Sequence, residues 1–134
     1  MQLSAAQWIH PTWQESPPED HHWVVYFQGS SACWEETMQY VACLAHGAGA
    51  NALVFNYRGV GASAGTARTE QDLVLDGSAG LTWLFKHGVA PSRVWLHGRG
   101  LGAAVAMKVA LCVDGRGGQI CGVGASHGFR SLGH

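Results

Sequence analysis

The chain has 134 residues, which suits one domain. Hydrophobic residues make up 47% and charged residues 13%, against about 25% charged in an ordinary soluble domain, so a disordered tail is excluded. Eight Lys and Arg against nine Asp and Glu give a formal charge of −1 with no basic cluster, which argues against nucleic acid as a partner.

Residues 1–22 read as an irregular lead-in, with Pro11, Pro17 and Pro18 interleaved with Glu15, Glu19 and Asp20. The first eleven residues lack a basic stretch followed by an apolar one, so no export signal is expected. A domain is expected over 23–134. WVVYF (23–27) is a continuous apolar run rich in β-branched and aromatic residues, which suits a buried parallel strand. A tight loop, QGSS, leads to a helix capped by Ser31 and ending near His46, with Gly47 just past it. Met38, Val41, Ala42 and Ala45 line one of its faces.

ALVFN (52–56) is a second strand, and YRGVGASAGT (57–66) a glycine-rich loop. Thr69 caps a helix over 70–87, whose apolar stripe is Leu73, Gly77, Leu81, Leu84 and Phe85. RVWLH (93–97) is a third strand. GRGLG opens a helix over about 101–113 that is apolar all round and therefore expected to be buried. The stretch from Leu101 to Val113 contains Lys108 and is shorter than the ~20 apolar residues of a membrane span. QICGVG (119–124) is a fourth strand. Alternating strands and helices predict an α/β fold: a parallel sheet with helices on both faces, in three layers.

Nineteen glycines in 134 residues are about twice the usual ~7%. They cluster after the strands, where ligands sit in open parallel sheets. Gly98-Arg99-Gly100-Leu101-Gly102 follows a strand and opens a helix. With Ala103 it also fits the dinucleotide fingerprint, but the acid that fingerprint wants at the end of the next strand is missing from Gly124-Ala125-Ser126. Gly61-Ala62-Ser63-Ala64-Gly65 and Gly124-Ala125-Ser126-His127-Gly128 both read G-x-S-x-G. Neither has the strand–turn–helix setting that an exposed nucleophile needs, so Ser63, Ser126 and His127 are weak candidates.

Four cysteines, Cys33, Cys43, Cys112 and Cys121, form no CxxC and have no zinc spacing. They read as small buried hydrophobes in a reducing, by default cytoplasmic, compartment. His10, His21, His22, His46, His87 and His97 show no metal-ligand spacing, and no metal or cofactor is expected. His97 is expected at a strand end, as a hydrogen-bonded core histidine.

Three segments together, VVYFQGSS, LVFNYRGVGASAGT and RVWLHGRGLGAAVA, resemble the middle of an α/β-hydrolase. The chain is also similar to a poorly characterised hydrolase-like family found in chlamydiae. The resemblance implies an oxyanion-hole amide from the loop after WVVYF, at Gly29 and Ser30. It implies a bracing role for Arg58, and a G-x-S-x-G nucleophile elbow at Gly98–Gly102. There the sequence departs from the pattern, because the nucleophile position is Gly100. The later acid and base are also missing, since only Asp114, His127 and His134 follow. The expectation is a degenerate, catalytically inactive serine-hydrolase relative whose Ser30 and Leu101 amides still form an anion nest for a small anionic or acyl ligand. Arg99, beside the missing serine, is expected either to contact only solvent, the favoured reading, or to reach a carboxylate or phosphate. The alternatives are a fragment of a longer active hydrolase, incomplete at both ends, and an interaction module with a protein partner on open sheet edges. A nucleotide-binding domain is the remaining option.

Overall fold

A computed structural model of the chain describes residues 5–9, 11, 21–28, 34–57, 70–115 and 120–126. Its elements in chain order are β1 (Ala5–Trp8), β2 (Trp23–Phe27), α1 (Trp34–Ala48), β3 (Asn51–Phe55), α2 (Glu70–Lys86), β4 (Val94–Arg99), α3 (Leu101–Gly115) and β5 (Gly122–Ser126). They build one sheet of order β1-β3-β2-β4-β5. Strands β3, β2, β4 and β5 run parallel, and β1 pairs antiparallel with β3.

Side-chain alternation along the strands divides the core in two. Val25, Phe27, Leu53, Phe55, Val94 and Leu96 face α2 and α3, where they meet Leu73, Leu81, Leu84, Val105 and Val109. Tyr26, Ala52 and Val54 face the other way and meet Val41 and Ala45 of α1. All five residues of β2 are therefore buried, as a strand covered on both faces must be. Each large apolar side chain so buried stabilises the fold by about 1.5–3 kcal/mol. Gly77 belongs to the α2 stripe because a Cβ there would sit 2.4 Å from the Phe27 ring.

This topology fixes where loops can gather. The chain leaves β2 toward β3 over α1, then returns past β2 to β4 over α2 and continues outward to β5 over α3. Right-handed connections in opposite directions put helices on opposite faces. The connections from the carboxyl ends of the neighbouring strands β2 and β4 therefore lead to helices on opposite faces.

Several expectations from sequence are corrected. The lead-in is not wholly irregular, since Ala5–Trp8 joins the sheet as β1 and makes it mixed rather than all parallel. Pairing with β3 overrides the weak strand signal of AAQW. The first helix passes Gly47 and stops at Ala48, with Gly49 in the left-handed conformation at φ 68°. The helix α3 is not buried all round, because it packs on the sheet by one face and leaves Met107 and Leu111 exposed. Cys43, Cys112 and Cys121 are exposed free thiols rather than core residues; Cys33 lies outside the described residues.

Truncating Leu84→Ala, fully buried against the sheet, should cost about 2–5 kcal/mol in urea unfolding. Leu111→Ala, at 62% exposure, should change stability by less than about 0.5 kcal/mol.

Candidate functional site

Strand β4 runs on to Arg99, and α3 begins at Leu101, so a single residue, Gly100, makes the turn. Its φ is +58°, a left-handed backbone that costs other residues about 1–2 kcal/mol and glycine almost nothing. A Cβ at Gly100 would meet nothing within 4 Å among the described residues.

The two outer glycines of this turn are required by crowding. A Cβ at Gly98 would lie 2.4 Å from the Ala103 nitrogen. A Cβ at Gly102 would lie 2.1 Å from the Phe27 carbonyl oxygen and 2.5 Å from that of Gln28. The start of α3 is thus pressed against the end of β2. The result is a sharp strand–turn–helix connection with glycine at the apex.

Gln28 closes the end of β2. Its side chain is buried, with Nε2 donating to the Phe55 carbonyl at 2.7 Å and to Asn56 Oδ1 at 3.1 Å. Its Oε1 accepts from the Thr37 hydroxyl at 2.9 Å, and its backbone carbonyl accepts from the Tyr57 hydroxyl at 3.1 Å. One residue therefore ties β2, β3 and α1 together. Burial above all, then the Asp76 carboxylate and then Tyr26, pushes the Tyr57 hydroxyl far above the usual phenol range. Tyr57 thus keeps its proton and remains a donor. Sequence reasoning missed Gln28; its one available signal was a polar residue ending an otherwise apolar strand.

The remaining candidates fall into place unevenly. Arg99 is exposed as the last residue of β4 and pairs in register with Ser126. The backbone of Ser126 is still strand, so its G-x-S-x-G makes no elbow turn there. Leu101 opens α3 and is partly exposed. Gly29, Ser30, Arg58, Ser63 and His127 lie outside the described residues. Among the described residues, no group of three or more His, Cys, Asp or Glu is placed to hold a metal ion, and no helix is long and apolar enough to cross a membrane.

His97 is not at the strand end, because β4 extends past it, and it is not the hydrogen-bonded core histidine expected. It is only partly buried, stacks on Tyr26 with ring centroids 5.8 Å apart, and leaves Nε2 without a partner among the described residues. Burial lowers its pKa from the ordinary 6.5.

With this geometry in hand, comparisons with known proteins are decisive about kinship. Residues 14–110 match the Chlamydia CHLPS protein (DUF818) family. The chain belongs to this family. An uncharacterised protein of Mycobacterium tuberculosis is 40% identical over 72 residues, which is 53% of this chain and 25% of the relative. Among solved structures, an α/β serine hydrolase homologue from Coxiella burnetii superposes with a TM-score of 0.63 at 24% identity, covering 81% of this chain and 51% of that one. An α/β hydrolase from Vibrio vulnificus gives 0.69 at 26% identity, over 75% of this chain and 36% of that one. A bacterial heroin esterase gives 0.67 at 15% identity, over 92% and 43%. The fold of this DUF818 chain is that of the α/β-hydrolases. The chain spans a quarter of the length of its mycobacterial relative and about half or less of these solved neighbours.

Two outcomes follow from the elbow and from His97. Gly102→Ala should prevent the native fold, because the methyl group meets backbone carbonyls that cannot move aside, whereas Gly100→Ala should cost only about 1–2 kcal/mol of left-handed strain. Urea titration of the two variants separates these cases. For His97 the folded state favours the neutral ring, so its contribution to stability is present above pH 6.5 and is lost as pH falls through 6.5 toward the lowered folded value. His97→Gln should therefore lose less stability than the parent chain between pH 7.5 and 5, measured by urea midpoints.

Proposed function

We propose that this chain is a catalytically inactive member of the α/β-hydrolase superfamily that retains an anion-binding nest where its relatives carry out ester or acyl hydrolysis. The observation that carries this reading is glycine at position 100, at the left-handed apex between β4 and α3. Acyl transfer in this superfamily needs a hydroxyl at that apex, a histidine to take its proton and an acid to orient the histidine. Gly100 offers no hydroxyl. After the elbow the only acid is Asp114, near the end of α3, and the only histidines are His127 and His134. The turn persists without the chemistry because glycine is the residue best suited to its backbone.

The nest comprises the Leu101 amide at the start of α3 and the amides of Gly29 and Ser30 after β2. Its support is the close approach of Gly102 to the carbonyls of Phe27 and Gln28, which sets the start of α3 beside the end of β2. Free amides at a helix start, together with the helix dipole, favour a small anion such as a carboxylate or phosphate. Arg99 stands next to the apex as a possible counter-charge. The exposed free thiols fit a reducing, cytoplasmic setting.

A fluorophosphonate probe should leave every serine unlabelled, and p-nitrophenyl butyrate should be hydrolysed no faster than in buffer. Oxyanion stabilisation and binding alone retain ~10³–10⁴-fold over water where a complete pocket survives, and this chain should fall below that range. In this 134-residue polypeptide Gly100→Ser should remain far slower than an ordinary esterase, because its histidines after the apex are His127, which directly follows the strand residue Ser126, and the terminal His134. A labelled serine in the unaltered chain, with matching ester turnover, overturns the reading.

A further inference from the structure

We propose that the cavity at the amino ends of β2 and β4, beside the C-terminal end of α1, is a binding site for a planar aromatic carboxylate. It holds about 410 Å³, within the range of about 300–1,000 Å³ usual for small-molecule pockets. It lies at the opposite end of the strands from Gly100. The inference is therefore separate from the anion nest, and independent of whether Gly100 abolishes catalysis.

The floor of the cavity is an indole. Trp95 and His97 occupy alternate positions of β4 and face the α1 side, while Val94 and Leu96 face α2 and α3. A Cβ on Gly122 of β5 would lie 2.6, 2.8 and 2.9 Å from three adjacent carbons of the six-membered ring of Trp95. Such near-equal distances put that point over the face of the ring, since approach in the ring plane would leave the two outer carbons much farther away than the middle one. One face of the indole thus rests on the β5 backbone. Gly124, the next residue on the same side, makes room for the indole Nε1, which a Cβ there would meet at 3.3 Å. Trp95 is nonetheless 42% exposed, and it lines the cavity. A flat ring held on one face and open on the other is a stacking platform for a second flat ring.

The rim is basic. Arg93 stands two residues before Trp95, about 6–7 Å away along an extended chain. His22 precedes Trp23, whose register partner is Val94, so His22 and Arg93 stand side by side where their strands begin. Both line the cavity, and among the described residues that do so there is no Asp or Glu. A guanidinium is a fixed charge whose planar fork matches a carboxylate. Leu44 and Ala48, one helical turn apart on α1, form an apolar wall.

This arrangement selects its ligand. An aliphatic anion would leave the indole unused, and a neutral arene would leave the guanidinium unused. An aromatic ring that carries its carboxylate directly satisfies both at the short spacing between Trp95 and Arg93. Cys121 lines the same cavity with an exposed thiol, which reports on occupancy.

The probe is 2-naphthoate, with 2-naphthamide as its neutral counterpart, each titrated calorimetrically into the 134-residue chain at pH 7.5. The naphthoate should bind saturably and at least tenfold more tightly than the amide. At saturation it should slow iodoacetamide labelling of Cys121 at least fivefold and leave Cys43 and Cys112 unaffected. Arg93→Gln should remove the preference for the acid, and Trp95→Ala should weaken both ligands at least tenfold. Ala48→Trp, at an exposed position of α1, fills the cavity and should abolish binding while the urea midpoint stays unchanged. No binding, equal affinity for the two probes, or binding that leaves Cys121 labelling unchanged overturns the proposal. So does a Cys121 that resists iodoacetamide in the free chain while Cys43 and Cys112 react, because the chain itself would then fill the cavity. Should Trp95→Ala unfold the chain, the other two variants still decide, since undiminished naphthoate binding in both overturns the site.

Discussion

The contact between the Gly102 backbone and the carbonyls at the end of β2 holds this architecture in place. It brings the start of α3 to the tip of the central strand without an intervening side chain. The turn at Gly100 follows from it, because β4 lies beside β2 in register and one residue must reverse the chain between Arg99 and Leu101. A left-handed residue does this in the shortest distance. The seating of α3 on the tip of β2 is therefore a product of sheet order and close packing, and exists whatever side chain stands at the apex.

Gln28 extends the same arrangement sideways. Its amide fills the space between the ends of β2 and β3 and satisfies the Phe55 carbonyl, while its own carbonyl is satisfied by Tyr57. A buried polar network is worth having only when each member is paired, and the raised Tyr57 pKa keeps its donor available across the physiological range. The scaffold of the site is thus built from backbone, amide and phenol groups. None of these groups depends on the side chain at the Gly100 apex.

The covering of the sheet is uneven, and its unevenness has a direction. At the β1 side Trp8 meets His46 of α1 edge-on, and the core beneath α1 is closed. At the β5 side an indole and the outer flank of α3 stand in water. Low overall charge and exposed apolar surface belong together here. A chain with few charges has little with which to shield an open edge.

Much of this was legible in the sequence. WVVYF spans the same residues as β2, and the stripe of Leu73, Gly77, Leu81 and Leu84 marks the buried face of α2. Continuous apolar runs and a 3.6-residue period are local signals, set by how the backbone alternates or winds. The glycines around position 100 likewise announced a turn, because few other residues tolerate its backbone. What the sequence could not determine was which surfaces meet. AAQW becomes a strand because β3 offers an edge, α3 is half bare because its neighbours cover only one face, and Cys43 and Cys112 are exposed because of the rotation of their helices. The role of Gln28 was hidden for the same reason, since its partners lie nine to twenty-nine residues away along the chain. Local pattern fixes the elements, and long-range packing decides which polar groups are paired and which apolar groups are left uncovered.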